Sequence, residues 1–282
     1  MLQIKPMRPQ DIPFAIALTN REKWGVTRRD LQRILHLNPR GSFVAYDGRR
    51  RVGMTTTTVY GRTLGWIGNV IVDEEHRRKH IGRTLVEHAV THLHRSRIKH
   101  IGLYCFKENV QFYEDLGFKR DVEFLRLVRR PQQTPPTLSV APRKSLQLKE
   151  LLRADKLAFG ADRSKLIRII LASRAGWYLV ASGRSRLSYI LVKVYSDMYE
   201  IGPWICINPS YDEPRKLLTS ALSRIAQRPV EVSCLKKHDG ALELFERFGF
   251  RAVRGGYRMY YSERPRIGVD AASYALGFLD KG

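Results

Sequence analysis

The chain predicts a mixed α/β fold built as two related halves, and three observations carry that prediction. Apolar runs of strand length alternate with stretches of helical spacing along the whole sequence. Hydrophobic residues make up 43% and aromatics 10% of 282 residues, enough to fill real cores in one large or two ordinary domains. The order of elements also repeats. Residues 112–118 read FYEDLGF and residues 244–250 read LFERFGF, each behind a strand that carries a cysteine, LYC in one copy and VSC in the other.

Taken in order, Leu2–Met7 predicts a strand closed by Arg8-Pro9. Asp11 caps a helix whose apolar residues include Phe14, Ala15, Ala17 and Leu18, and Thr27 caps a second with Leu31, Ile34 and Leu35 on one face. Ser42–Tyr46 is a strand, Asp47-Gly48 a hairpin turn, and Val52–Tyr60 a strand rich in β-branched residues. Trp66–Val72 is apolar and long enough for one buried strand. An acidic patch (Asp73, Glu74, Glu75) and a basic one (Arg77, Arg78, Lys79) form a turn that ends at Gly82. A helix follows, read from the spacing of Leu85, Val86, Ala89, Val90 and Leu93. Ile101–Phe106 is a strand, Asn109–Leu116 a short helix ended by Gly117, and Val122–Val128 a last strand.

The proline-rich stretch 131–142 reads as a linker, dividing the chain into domains 1–130 and 143–282. The second domain runs through helical material at Ala154–Leu171 and strands at Trp177–Ala181, Leu187–Tyr195 and Glu200–Ile207. Pro214 suits the first residue of a helix carrying Leu217, Leu218, Ala221, Leu222 and Ile225. Val230–Leu235, a short helix at Ala241–Phe248 and a strand around Tyr257–Tyr261 complete it.

Lys and Arg number 50 against 27 Asp and Glu, a net charge of +23. That excess favours a polyanionic partner: nucleic acid, an anionic membrane or a phosphorylated cofactor. Three separated cysteines without a CxxC pair fit reduced thiols rather than a disulfide framework or a zinc site. No run approaches ~18 consecutive apolar residues and the N-terminus does not read as a signal peptide, so a cytoplasmic, non-membrane protein is expected.

The strand, basic turn and helix around Gly82 present free backbone N–H groups and the positive end of a helix to an anion, for which phosphate is the natural occupant. His88 and His92 are four apart, as are His76 and His80, but neither pair has a zincin glutamate, and solvated helix histidines explain them; no metal is expected. No G-x-S-x-G nucleophile elbow is present.

These residues resemble the GNAT superfamily of acyl-CoA-dependent N-acetyltransferases, in its tandem-domain form. The family's pyrophosphate loop, Arg/Gln-x-x-Gly-x-Gly/Ala between a strand and a helix, is matched by Arg77-Arg78-Lys79-His80-Ile81-Gly82. A second landmark is Asn109 followed by Phe112-Tyr113-Glu114 and Gly117-Phe118. The resemblance covers residues 1–130 well, and the remainder resembles the divergent second domain of tandem members, including Ile201-Gly202-Pro203-Trp204 and Phe159–Arg163.

The resemblance implies two tandem GNAT-like domains, each a mixed, mostly antiparallel sheet flanked by helices, with acetyl-CoA as acyl donor and an amine as acceptor. The cofactor would lie on Arg77, Arg78, Lys79, His80, Ile81, Gly82, Arg83 and Thr84, with pantetheine along Asn69, Val70, Ile71 and Val72, and Asn109 positioning that arm. Tyr113 takes the place of the general acid for the CoA thiolate; a phenol of pKa ~10 is close to a thiol of ~8.5. One departure is His80, where the family has glycine; it fits if its φ stays negative, and if protonated it adds a donor to phosphate. No carboxylate lies on the strand before the loop, leaving Glu108, Asp73 or a bound water as bases. Trp24, Tyr60, Trp66 and Tyr104 are candidates for an aromatic acceptor pocket. The second domain lacks the loop: NPSYDEPRK has no glycine, Asp212 and Glu213 would cap the helix and repel a diphosphate, and Phe245 stands where Tyr113 stands. The alternatives are a non-catalytic acyl-CoA-binding or nucleic-acid-associated regulatory module, and an RNA-associated acetyltransferase.

Overall fold

The periodicities of the first half resolve into β1 (Leu2–Pro6), α1 (Ile12–Arg21), α2 (Arg28–Leu37), β2 (Ser42–Asp47), β3 (Arg50–Tyr60), β4 (Leu64–Val72), α3 (Ile81–Arg95), β5 (His100–Phe106), α4 (Val110–Glu114) and β6 (Phe118–Arg129). The second half gives α5 (Leu148–Phe159), α6 (Ser164–Ala172), β7 (Gly176–Gly183), β8 (Arg186–Val194), β9 (Tyr199–Ile207), α7 (Glu213–Leu222), β10 (Val230–Leu235), α8 (Asp239–Arg247), β11 (Arg251–Tyr261) and β12 (Ser273–Ala275). This computed structural model describes residues 1–22, 24–131, 148–183, 186–210, 212–225 and 227–282. The expected linker lies outside the described residues apart from Pro131.

Local chemistry sets the helix starts. Thr27 and Asp30 form a capping box on α2, with Thr27 Oγ1 accepting from the Asp30 N–H at 3.2 Å and Asp30 accepting from the Thr27 N–H at 2.9 Å. Asp11 sits at the N-cap of α1 but makes no side-chain cap. It is buried instead, accepting from Arg51 Nε at 2.7 Å and Tyr46 hydroxyl at 3.0 Å, which ties α1 to β2 and β3. Asp212 likewise makes no cap and pairs with Arg215 at 3.4 Å, while Glu213 accepts from the Ser188 hydroxyl. The expected capping by these two acids is therefore corrected.

Both halves share one twelve-stranded sheet, ordered β1-β2-β3-β4-β5-β11-β6-β10-β9-β8-β7, with β12 on β9. Among the described residues only β4–β5 and β9–β10 pair in parallel. The last strands are exchanged: β11 of the second half pairs with β5 of the first, and β6 of the first pairs with β10 of the second. β6 and β11 also pair with each other from Phe118↔Tyr261 to Val128↔Arg251. Backbone hydrogen bonds thus run continuously across the junction.

Helix α3 buries Ile81, Leu85, Val86, Ala89, Val90 and Leu93, with Val86, Ala89 and Leu93 packing on Ile101, Leu103 and the exchanged Met259. Each of the Ile, Leu and Val side chains contributes ~1.5–3 kcal/mol on full burial, so the helix is fixed firmly beneath the sheet. His88 and His92 are half-buried on this helix, edge-on to Phe43 at 4.5 and 5.2 Å between ring centroids. They are packing residues rather than solvated ones, and burial pulls both below the ordinary histidine range.

Candidate active site between strands β4 and β5

The site begins with a failure of pairing. β4 and β5 are hydrogen-bonded only over Leu64–Trp66 and His100–Gly102, then separate. On its other edge β4 carries a bulge, because Met54 faces Ile71 while Thr56 faces Gly68. Asn69 lies in that bulge at φ 50° and is buried, and its side chain donates to Thr56 Oγ1 at 3.0 Å. A cavity of about 380 Å³ opens in the gap, lined on one side by Ile67–Val70 and on the other by Tyr104, Cys105, Phe106, Asn109 and Tyr113.

The basic turn lies at the far end of β4. Ile71 is buried and pairs with Met54, and Val72 pairs with Gly53, so neither lines the cavity. His80 is the N-cap of α3 and makes no side-chain cap, which leaves the first-turn N–H groups open. Its φ is +59°, the conformation expected of the glycine it replaces. The expected negative φ is thus corrected: the loop keeps a glycine-like backbone with a histidine in it, a residue enriched among non-glycines at positive φ. Arg78 is also left-handed, at φ 63°. Gly82 leaves an open face, since an added Cβ would meet Phe112 at 3.5 Å and Val72 at 3.7 Å, ordinary contacts.

The cations of the loop divide into two groups. Arg77 pairs with Glu22 and donates to the Val72 carbonyl at 3.2 Å, and Arg83 pairs with Glu87 at 3.5 Å. Arg78 and Lys79 are exposed and have no acidic partner among the described residues. Thr84 turns its hydroxyl back to the His80 carbonyl at 3.2 Å.

Tyr113 is 9% exposed, packed edge-on against Phe112 and Phe118, and its hydroxyl makes no hydrogen bond among the described residues. Burial raises its phenol well above 10, with a smaller contribution from Cys105. The near match to a thiol that the free phenol suggests does not hold for this buried group; its proton is held tightly.

Residues 13–118 match the acetyltransferase (GNAT) family, and residues 151–271 match a second acetyltransferase (GNAT) domain. This chain belongs to the GNAT family. It is similar to an uncharacterized N-acetyltransferase of Bacillus subtilis, YitH, at 26% identity over 213 residues, 74% of this chain and 73% of that protein. Its fold is shared by a Pyrococcus horikoshii protein classed provisionally as an acetyltransferase, with a TM-score of 0.79 at 21% identity, covering 100% of this chain and 96% of that one. A tandem GNAT protein from the clavulanic acid biosynthesis pathway superposes with a TM-score of 0.69 at 13% identity, over 94% and 100% of the two chains. Acyl transfer to amines is the general reaction of GNAT enzymes.

In the second GNAT copy the equivalent gap is closed. β9 and β10 pair in parallel only over Tyr199–Ile201 and Val230–Val232, so a matching gap begins there. Strand β12 fills it, pairing with Trp204 and Ile205 of β9, while the Leu276 N–H donates to the Ser233 carbonyl of β10 at 2.8 Å. Phe245 is fully buried against Trp204 and Phe250.

From β12 the chain continues across the first GNAT copy as a strap. An ideal Cβ on Gly202 would fall 1.9 Å from the Leu276 carbonyl oxygen, and one on Gly68 would fall 2.1 Å from that of Asp280; both glycines are required by close backbone approach. Trp66 Nε1 donates to the Leu279 carbonyl at 3.2 Å, the Tyr60 hydroxyl donates to the Lys281 carbonyl, and Lys193 Nζ donates to the Gly277 carbonyl at 2.6 Å. Tyr60 and Trp66 are thus buried anchors of the strap and do not line this cavity, whereas Trp24 and Tyr104 do.

The expected bases also lie elsewhere. Glu108 pairs with Arg254 at the surface, and Asp73 pairs with Arg21 at 3.2 Å; neither lines the cavity. Asp73, Glu75 and His76 bring ligand atoms within 4.8 Å of one another, but Arg21 and Arg50 already hold the two carboxylates. Apart from Asp30 on α2, the cavity's acids come from the second half and the strap: Asp197, Glu200, paired with Lys193 at 2.7 Å, Glu231, paired with Arg126, and Asp280. Sequence reading missed these second-half acids because no local spacing joins β4 to residues more than 120 positions away. A faint signal existed in the apolar Ala275–Leu279 run, which needed a surface to cover.

Proposed function

We propose that this protein is an N-acetyltransferase that takes acetyl-CoA in its first half and transfers the acetyl group to a primary amine. The observation that carries this reading is the contrast between two equivalent gaps: β12 fills the one between β9 and β10, while the one between β4 and β5 is open, and β4 leads on through the basic turn to a start of α3 that has no side-chain cap. In this reading the N–H groups from Arg78 to Arg83 hold the diphosphate, and Arg78 and Lys79, without acidic partners among the described residues, neutralise it, with Arg77 and Arg83 nearby. His80 keeps the left-handed turn that lets the backbone approach. Pantetheine lies along the unpaired edge of β4 at Asn69 and Val70, where free backbone groups suit a peptide-like chain. Asn109 faces the same cavity from the start of α4.

The thioester supplies an activated acetyl group. The amine attacks its carbonyl carbon, forming the C–N bond as the C–S bond breaks and the electron pair goes to sulfur. Tyr113, neutral and without another partner among the described residues, relays a proton: its hydroxyl hydrogen passes to that sulfur as its oxygen takes up the proton shed by the attacking nitrogen, so the tightly held phenol proton is replaced in the same step. A regulatory module that binds acyl-CoA without turnover would not require this unpartnered hydroxyl in the gap.

Calorimetric titration with acetyl-CoA at moderate salt, beside adenosine bisphosphate as a charge control, tests the reading. Saturable binding at one site per chain, tighter than the control, is expected. Binding no better than the control and lost as salt rises would refute it.

A further inference from the structure

The protein carries a net charge of +23, yet the lining of its cavity reverses that sign. Five carboxylates reach it: Asp30, Asp197, Glu200, Glu231 and Asp280. Three cations face them: Arg126, Lys193 and Lys281. Glu200 and Glu231 are consumed by Lys193 and Arg126, and Asp30 by Arg33 at 2.8 Å. Two carboxylates retain free capacity.

Asp280 is the first. The strap sets its backbone on Gly68, and Asn69 Nδ2 donates to Oδ2 at 3.2 Å from within the β4 bulge. Lys281 Nζ reaches the same Oδ2 at 2.5 Å. Both protein donors therefore bind one oxygen, and Oδ1 has no partner among the described residues. An ionised carboxylate accepts several hydrogen bonds, so Oδ1 is left to a ligand. Asp197 is the second: it is exposed at the rim, where its one hydrogen bond among the described residues comes from the Ser196 hydroxyl at 3.4 Å, with no basic partner.

Resting on the acetyltransferase reading above, we propose that the acceptor is an amine carrying at least two positive charges, with Asp280 Oδ1 holding the nitrogen that is acylated, which gives up its ammonium proton to water in the open cavity before it attacks, and Asp197 attracting a second cation at the rim. Asp280 contacts the acceptor from the strap side, while Tyr113 lines the opposite wall of the gap on α4. The nucleophile and the leaving sulfur thus have separate polar groups. A carboxylic acid or phosphorylated amine would face Asp280 and Asp197 with like charge, and a neutral side arm would leave Asp197 unused.

The test uses the full chain with acetyl-CoA and three amines of equal length: 1,4-diaminobutane, 4-aminobutan-1-ol and 4-aminobutanoate, read by release of CoA thiol. The diamine is expected to lead in kcat/KM, the amino alcohol to follow about tenfold lower, and the amino acid to be slowest. Asp280→Asn should raise KM for the diamine about thirtyfold or more, as expected for loss of a buried charge contact, with Asp280→Glu recovering part of it and the acetyl-CoA Kd unchanged. Asp197→Asn, at an exposed position where folding is not at stake, should narrow the gap between diamine and amino alcohol about threefold. A flat or reversed ranking, an Asp280→Asn variant within threefold of the parent, or acetyl-CoA binding with none of the three amines turned over would overturn the proposal. Failure of acetyl-CoA to bind would instead sink the reading beneath it, which the same titration records separately.

Discussion

Replacing Gly82 by alanine should move stability and cofactor binding in opposite directions. Gly82 is the second residue of α3, and glycine in a helix costs about 0.8–1.0 kcal/mol relative to alanine. The new Cβ would sit 3.5 Å from the Phe112 ring and 3.7 Å from Val72 Cγ2, contacts that impose no strain. The folded protein is therefore expected to gain up to about 1 kcal/mol, a rise of roughly 2–4 °C in Tm for a domain of this size. The same methyl group would stand where the loop backbone meets a diphosphate. Loss of one hydrogen bond to a charged oxygen costs about 1.5–3 kcal/mol, so acetyl-CoA binding should weaken by about 10- to 150-fold. Calorimetry of unfolding and of acetyl-CoA binding on the same preparation measures both. A variant that gains stability and binds acetyl-CoA as tightly as the parent would refute the placement of the diphosphate on this loop. A variant that loses more than about 1 kcal/mol would refute the packing argument itself.

Two further outcomes follow from the site and the strap. Tyr113→Phe should lower kcat by ~10²–10⁴ with acetyl-CoA affinity unchanged, and should leave stability within about 0.5 kcal/mol because the hydroxyl has no partner among the described residues; a stopped-time thiol assay and a melting curve decide. Asp270 accepts from Arg258 through both oxygens, at 2.9 and 2.8 Å. Burial alone would raise its carboxyl, but the paired Arg258 and Lys237 outweigh it and hold the group at about 2. A carboxyl depressed from 3.8 stabilises the fold above that pH and loses the contribution as pH falls toward 2. Urea unfolding at pH 6 and pH 2.5 should therefore show acid destabilisation that is smaller in Asp270→Asn, and an equal acid loss in both proteins would count against the ion pair's role.

The first half was legible from local sequence because its signals are local. Trp66–Val72 is an apolar run bounded by charges, the 77–82 turn is basic and precedes a helical period, and Thr27 with Asp30 forms a cap three residues long; each needs only its neighbours. The tandem arrangement was legible too, from FYEDLGF and LFERFGF. The backbone at His80 was not, since a histidine is compatible with either sign of φ and only the strand-to-helix geometry fixes +59°.

What tertiary structure alone decided is which strands meet and what covers the gaps between them. Exchange of β6 and β11 pairs residues more than 100 positions apart, and strand pattern carries period and burial but no partner. The strap is the same case: Asp280, Lys281 and the anchors Tyr60 and Trp66 are brought together by long-range packing through Gly68 and Gly202. Sequence determined that a basic turn with a glycine precedes the helix in the first copy and that the second copy lacks it. Packing of distant chain decided which gap stays open and which charges face it, because both depend on excluded volume that no local window contains.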